Sequence, residues 1–400
     1  MSTLLTHLNP ALGSLLSFLL GLVPLIALHE AGHMLVAKKV GVWVREFGIG
    51  LPPRIVTLFH WNETAFTLNW IPLGGFARME GEDEILASEE QKAKEAKRRA
   101  ALPPEEQAKL AAEDEERHKH SLYAQPPLKR ILIYLGGPMM NLLLGWLLAV
   151  LLFLTGTPVV DKGVVYIEMV SPDSPAEAVG LEPGDLVLKA AGKPVTDVEQ
   201  FIEIIHAHAG EPLPLEIQRG EETLVVTPTL RLEAPKGQGI LGVAISEMPL
   251  ETHVERLPLG QALVMGSRYF WNLSIGLLLL PVHLIRGLLP ASAARPISII
   301  NISRITYQSV QASVNVGALY PILSLLVMLN VSLGLFNLLP IPALDGGRIL
   351  LTLVEMVSRK PLTPQQQERV HQVAMLFLLL FFLGTLVLDL LYPVNLPSVP

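Results

Sequence analysis

Cysteine is absent from all 400 residues, which excludes disulfides and thiolate ligands together, so any metal would have to be held by imidazole and carboxylate. Positive charge is scarce too: 30 Lys and Arg stand against 37 Asp and Glu, a formal net charge of −7. Without a broad basic field, nucleic acid is not an expected partner. Charge of either sign is missing from three long stretches, 8–28, 131–160 and 305–344. Each is long enough to cross roughly 30 Å of hydrocarbon at about 1.5 Å per residue. Lys and Arg are also missing from residues 1–13, and no A-x-A site follows the first apolar run. That run is therefore read as a retained span and not as a cleaved secretory signal.

What is present points the same way. Half of the residues are apolar, too many for a soluble enzyme with one large core, and 372–388 is a shorter fourth candidate span. Basic residues set the orientation. Lys38, Lys39 and Arg45 follow the first span, Lys129 and Arg130 precede the second, and Arg348, Arg359 and Lys360 follow the third, so these segments are expected in the cytoplasm. The N-terminus, the 160–300 region and the C-terminus then face the other side.

The expected fold is a mainly α polytopic membrane protein of four transmembrane helices, with a membrane-associated β-hairpin or sheet region and an inserted α+β domain. Its segments are a first transmembrane helix (1–41), a β region (42–80), a charged helical or mobile insertion (81–125), a second transmembrane helix (126–158), the inserted domain (160–232), a linker with an interfacial amphipathic helix (233–304), a third transmembrane helix (305–358) and a fourth with the C-terminal tail (359–400). Val42 to Met79 alternates aromatic, β-branched and Gly/Pro residues, which predicts short strands joined by turns. The 81–120 stretch, dense in Glu, Lys, Arg and Ala and broken by Pro103-Pro104, reads as a solvated insertion. Residues 257–290 include the uncharged run Tyr269–Ile285. A fifth crossing there would put the end of the third span on the wrong face, so a helix lying in the interface is expected instead.

Chemistry is concentrated in His29-Glu30-Ala31-Gly32-His33, inside the first span. Helical i, i+4 spacing puts both imidazoles on one face with Glu30 close by, the arrangement of two metal ligands and a general base. Two His and a Glu in hydrocarbon are costly unless they find partners, which favours function over accident. A carboxylate commonly completes a His pair. Asp345 is the best candidate, although an Asp there would also serve as a cap for the helix of Gly346 to Val357.

Two resemblances follow from these residues. Ser174-Pro175-Ala176-Glu177-Ala178-Val179-Gly180-Leu181-Glu182-Pro183-Gly184-Asp185 resembles a bacterial PDZ domain, with Asp197 to His208 as its longer helix and 213–230 as its closing strands. His29-Glu30-x-x-His33 together with Asn337-x-x-Pro340-x-Pro342-x-x-Asp345-Gly346-Gly347 resembles the site-2 protease family of intramembrane zinc metalloproteases, of the regulator-of-sigma-E type with one PDZ domain. Gly137-Pro138-Met139-Met140-Asn141 and Pro72-Leu73-Gly74-Gly75-Phe76 support it. Pro52, in Gly50-Leu51-Pro52-Pro53, and Arg295, in Arg295-Pro296-Ile297-Ser298-Ile299, depart from the family pattern.

The resemblance implies one zinc ion per chain on His29, His33 and Asp345, Glu30 as catalytic acid/base, and Asn337 holding the substrate strand. It implies regulated proteolysis of single-span membrane proteins, such as anti-sigma factors or signal-peptide remnants, in the bacterial plasma membrane. An upstream site-1-type protease and membrane lipid are the implied partners, with the PDZ domain outside the cytoplasm and the active site toward the cytoplasmic side. Asn141 is read as a packing or backbone-satisfying residue, and Gly74 and Gly75 as turn formers. Two rivals remain at this point. One is a non-catalytic PDZ scaffold with a vestigial metal site; the other is a transporter, which would need repeated halves that the hydropathy lacks.

Overall fold

The computed structural model describes residues 10–82, 94, 98, 101–235, 238–286, 298–359 and 364–391. Much of the 83–100 part of the charged insertion, the Arg295-Pro296-Ile297 departure and Lys360 lie outside the described residues. The chain divides into two compact units, Met1–Thr155 with Leu257–Pro400, and Gly156–Arg256.

The first unit is mostly helical. Helix α1 (Pro10–Val40) and α2 (Pro104–Lys119) are followed by α3 (Pro127–Thr155). Between α1 and α2, β1 (Val44–Trp61) and β2 (Thr64–Met79) form one antiparallel hairpin. These strands are longer than expected and bend back on themselves. Glu46–Ile49 is flanked by Ala65–Leu68 and by Gly75–Arg78, while Arg54–Trp61 returns along Thr64–Asn69. Pro52 falls between the rungs Leu51–Ile71 and Arg54–Asn69, where the pairing is irregular. The hairpin's own side chains, Ile55, Val56, Leu58, Phe59, Trp61, Trp70 and Ile71, are exposed. Helix α2 buries none of its residues and carries Lys119–Glu115 pairing at 3.1 Å, the behaviour of a solvated helix. Its far end is tied down where His120 stacks on Trp43, ring centroids 4.4 Å apart.

After the second unit, which holds α4 (Pro175–Ala178) and α5 (Val198–Ala207), come α6 (Leu259–Ile285), α7 (Ile299–Val316), α8 (Tyr320–Asn337), α9 (Asp345–Ser358) and α10 (Pro364–Leu391). The single third span expected over 305–358 is therefore three helices. Gly317 ends α7 in the left-handed conformation with φ 70°, and Pro321 opens the first turn of α8. The prolines at 340 and 342 then stop α8 before α9 begins. Among the described residues five helices are long and apolar enough to cross a membrane, one more than expected: α1, α3, α6, α8 and the Gln372–Asp389 part of α10. Because α7 turns back into α8 over three residues, with the Ile322 N–H donating to Ser313 Oγ at 3.1 Å, a crossing by α6 could be returned by α7. Since α7 is not among those five helices, the expectation of an interfacial α6 is not overturned.

The inserted unit holds a five-strand path, β7-β6-β4-β3-β8, with β5 beside β4. The strands are β3 (Thr157–Val170), β4 (Leu186–Ala190), β5 (Lys193–Pro194), β6 (Leu215–Arg219), β7 (Glu222–Val226) and β8 (Val243–Glu255). A short α4 (Pro175–Ala178) and a longer α5 (Val198–Ala207) fall where the PDZ pattern put them. Ser174 Oγ accepts the Glu177 N–H and Asp197 Oδ1 accepts the Gln200 N–H, capping the two helices. Val165, Ile167, Phe201 and Ile217 form the centre of a core of its own.

Candidate metal centre

The site begins with two helices in unusually close contact. Gly32 on α1 faces Gly136 on α3, and a Cβ at Gly136 would come within 2.6 Å of the Gly32 carbonyl oxygen. With no side chain between them, the backbones approach closely. Ile133, Gly137 and Asn141 follow i, i+4, i+8 spacing, so one stripe of α3 meets the His29/His33 stripe of α1. His33 Nδ1 donates to the Ile133 carbonyl at 2.7 Å, and the Asn141 amide lies 3.2 Å from His29 Nδ1. Both rings are buried, and their Nε2 atoms, 3.2 Å apart, point at the same spot.

Asp345 reaches that spot from far along the chain. Its Oδ2 lies 3.1 Å from His29 Nε2 and 3.4 Å from His33 Nε2. Leu344, not Asp345, is the residue capping α9, and it does so without a side-chain bond. Asp345 therefore does not serve as the cap. Its position depends on Gly346 and Gly347. A Cβ on the first would fall on the carbonyls of Leu338 and Leu339, and on the second on that of Ile341, so only glycine lets the first turn of α9 close against the proline-containing link.

Three ligand atoms, from His29, His33 and Asp345, all lie within 4.8 Å of one another. The donor set suits zinc, being two imidazoles and one carboxylate with room for a fourth position. Two buried features fit the same ion. Asn141 Oδ1 has no partner among the described residues; turning the amide over would set it against a protonated His29 Nδ1, leaving both Nε2 lone pairs for metal. Gly137 faces the ring nitrogens so closely that a Cβ would sit 2.6 Å from His29 Nε2. A side chain there would fill the ion's seat.

The centre opens into a cavity of about 560 Å³, which Glu30 and Asn337 also line. Glu30 Oε2 accepts the Ala77 N–H at 3.1 Å, so the β2 edge points backbone groups toward the site. The five residues assigned to the site from the sequence, His29, Glu30, His33, Asn337 and Asp345, thus line one cavity. Asn141 and Gly137 were not assigned to it. Their signal was the four-residue interval between them, matching the interval between the histidines.

Comparison with known proteins agrees. The profile of Peptidase family M50 matches residues 17–381. Zinc metalloprotease RasP of Geobacillus kaustophilus is 29% identical, covering 93% of this chain and 96% of that protein. Metalloprotease MmpA of Caulobacter vibrioides is 27% identical over 92% of this chain and 93% of its own length. A solved PDZ domain of an SdrC-like protein from Listeria monocytogenes, 27% identical, covers 22% of this chain and 90% of that one with a TM-score of 0.19. The chain is an integral membrane zinc metalloendopeptidase and belongs to peptidase family M50.

Proposed function

We propose that this protease cuts single-span membrane proteins within their transmembrane segments, at one zinc ion held by His29, His33 and Asp345. The observation that carries the reading is the convergence of these three side chains on one buried point beside Glu30, inside a helix apolar enough to span a bilayer. When bound, zinc supplies Lewis acidity that makes water nucleophilic at neutral pH and polarises the scissile carbonyl. Glu30 takes the attacking water's proton and delivers it to the leaving amine. The Ala77 N–H keeps its carboxylate aimed at the cavity.

A transmembrane helix offers no free carbonyl, because each is bonded to an N–H four residues on. The substrate must unwind, and its freed backbone groups need partners. The β2 edge at Gly75–Ala77 and the Asn337 amide supply them by strand addition. His29 lies about 26 Å along α1 from Leu12 at about 1.5 Å per residue, which puts the cut nearer the cytoplasmic side. The inserted PDZ-like unit, facing the other side, acts as a size filter that admits substrates already trimmed by an upstream protease.

The test is incubation of the purified chain with single-span proteins or signal-peptide remnants, with and without a zinc chelator, followed by mass spectrometry of the fragments. Internal cuts that vanish with chelator and with Glu30→Gln support the reading. A phenotype untouched by Glu30→Gln would instead mark a scaffold. Deleting 160–230 should let an untrimmed substrate be cut, and unchanged discrimination would remove the filter role.

A further inference from the structure

The metal cavity carries a second group of charges that the hydrolysis does not use. Arg130 Nη2 donates to Glu355 Oε1 at 2.7 Å. Arg348 lies 3.4 Å from Glu82 Oε1, with its guanidinium carbon 5.8 Å from the centroid of the Tyr134 ring. All five residues line the cavity that His29, His33 and Asp345 share. Arg130 precedes by three residues Ile133, whose carbonyl holds His33, and Arg348 follows Asp345 by three. Each cation therefore stands about one helical turn from a residue that builds the metal centre. Arg130 itself and the contact of Arg348 with Tyr134 place both toward the N-terminal end of α3.

As a tether between α3 and α9, the Arg130–Glu355 bond would be sufficient. The structure has more donor capacity than that. The Arg130 side chain is 6% exposed, yet its Nε is a buried donor with no hydrogen-bond partner among the described residues. A guanidinium is always charged and presents its donors as a planar fork matched to a carboxylate, so this cation on the cavity wall keeps donor capacity that Glu355 does not take up. Arg348 adds a second positive charge to the same wall.

We propose that Arg130 and Arg348 form a specificity subsite for a carboxylate carried by the substrate chain. In an extended strand at about 3.3 Å per residue, one helical turn corresponds to roughly two residues, so the carboxylate would sit about that far from the cut bond. This rests on the proteolytic reading above. Glu355 and Glu82 hold the guanidinium groups in position, and the incoming carboxylate takes the donors that they leave. The carboxylate has two sources: an acidic side chain about two residues from the cut, or the new chain end, released at the metal and shifted along the cavity by about that distance.

The experiment uses the full chain with zinc and a set of single-span substrates that differ only by Glu or Gln at each position within three residues of the cut. In parallel, the N-terminal cleavage fragment is offered as free acid or as amide in a direct binding assay. A charge-assisted bond gives a preference of about ten-fold in kcat/KM for Glu at one position if the side chain is the ligand. A similar preference in Kd for the free acid identifies the chain end. Either preference should fall to near one in Arg130→Gln and persist or grow in Glu355→Gln, which frees the guanidinium. Arg348→Gln should weaken it without touching the buried pair. Equal handling of Glu and Gln at every position, together with equal binding of acid and amide, overturns the subsite. So does an equal loss in Arg130→Gln and Glu355→Gln, which is the mark of a tether. If no substrate is cut, Gln parent included, while the fragment preference still depends on Arg130, the subsite stands and the proteolytic reading falls.

Discussion

At the scale of single residues, the metal centre is shaped as much by what is missing as by its ligands. Gly137 leaves the space in which the two Nε2 atoms and Asp345 Oδ2 meet. Gly137→Ala should therefore fold with its helices intact but retain far less than one zinc per chain, measured by elemental analysis of the purified protein. Asn141 makes a different contribution, through the ring nitrogen that faces away from the ion. A partner in that position orients the ligand and fixes its tautomer. Asn141→Leu should weaken zinc binding by about 10- to 100-fold in a chelator competition. Asn141→Asp, which keeps an acceptor opposite Nδ1, should lose much less, and equal losses in the two variants would remove the orienting role.

At the scale of elements, the β2 edge and the PDZ-like unit each rest on a specific polar contact. Ala77→Pro deletes the N–H that Glu30 accepts and one donor of the edge. Activity should fall by at least about ten-fold, the worth of one bond to a charged group, while zinc content is unchanged. In the inserted unit, burial pushes the Asp185 carboxyl upward, but Arg219, bonded to it at 2.7 and 2.8 Å, and the Glu182 N–H outweigh that and hold it below the usual carboxylate range. A depressed folded-state value contributes stability that is complete above the unfolded value of about 3.9 and disappears as pH falls through the lower folded one. Amide exchange in β4 and β6 should accelerate across that acid window in the native chain, and Asp185→Asn should flatten the dependence. Much of this was legible in the sequence. Charge-free runs marked α1 and α3, and glycines 180 and 184, at φ 76° and 106°, are where the Gly-Leu-x-Pro-Gly-Asp turn needs them. The 305–344 run misled because hydropathy does not register a single left-handed glycine at 317 that separates a half-polar α7 from α8. Nor could local pattern reveal that Glu46–Ile49 would be flanked by two separate parts of β2, since that depends on pairing between distant residues.

At the scale of the whole molecule, the open issue is how α6 and α7 meet the bilayer, and the metal centre constrains it less than first expected. If α6 crosses and α7 returns, or if neither crosses, α8 still starts on the same side and delivers Asp345 to the histidines. Burial favours the second arrangement. Arg268 is exposed nine residues into α6, and Arg304 is exposed near the start of α7. In a spanning α6, Arg268 would lie about 14 Å below the surface, facing lipid, at a cost of roughly 3 kcal/mol or more. In an interfacial helix it reaches headgroups instead. The absence of cysteine makes the distinction experimentally clean, because a single introduced thiol is the only one in the chain. Arg286→Cys, at the end of α6, should react with a membrane-impermeant maleimide added outside intact cells, as should a cysteine introduced in the PDZ-like unit at the exposed Glu222. A cysteine at the exposed Glu115 of α2 should react only after permeabilisation. If Arg286→Cys behaves like Glu115→Cys, α6 crosses, α7 must carry the polar face that it turns toward α1 back through the membrane, and the chain has six spanning helices.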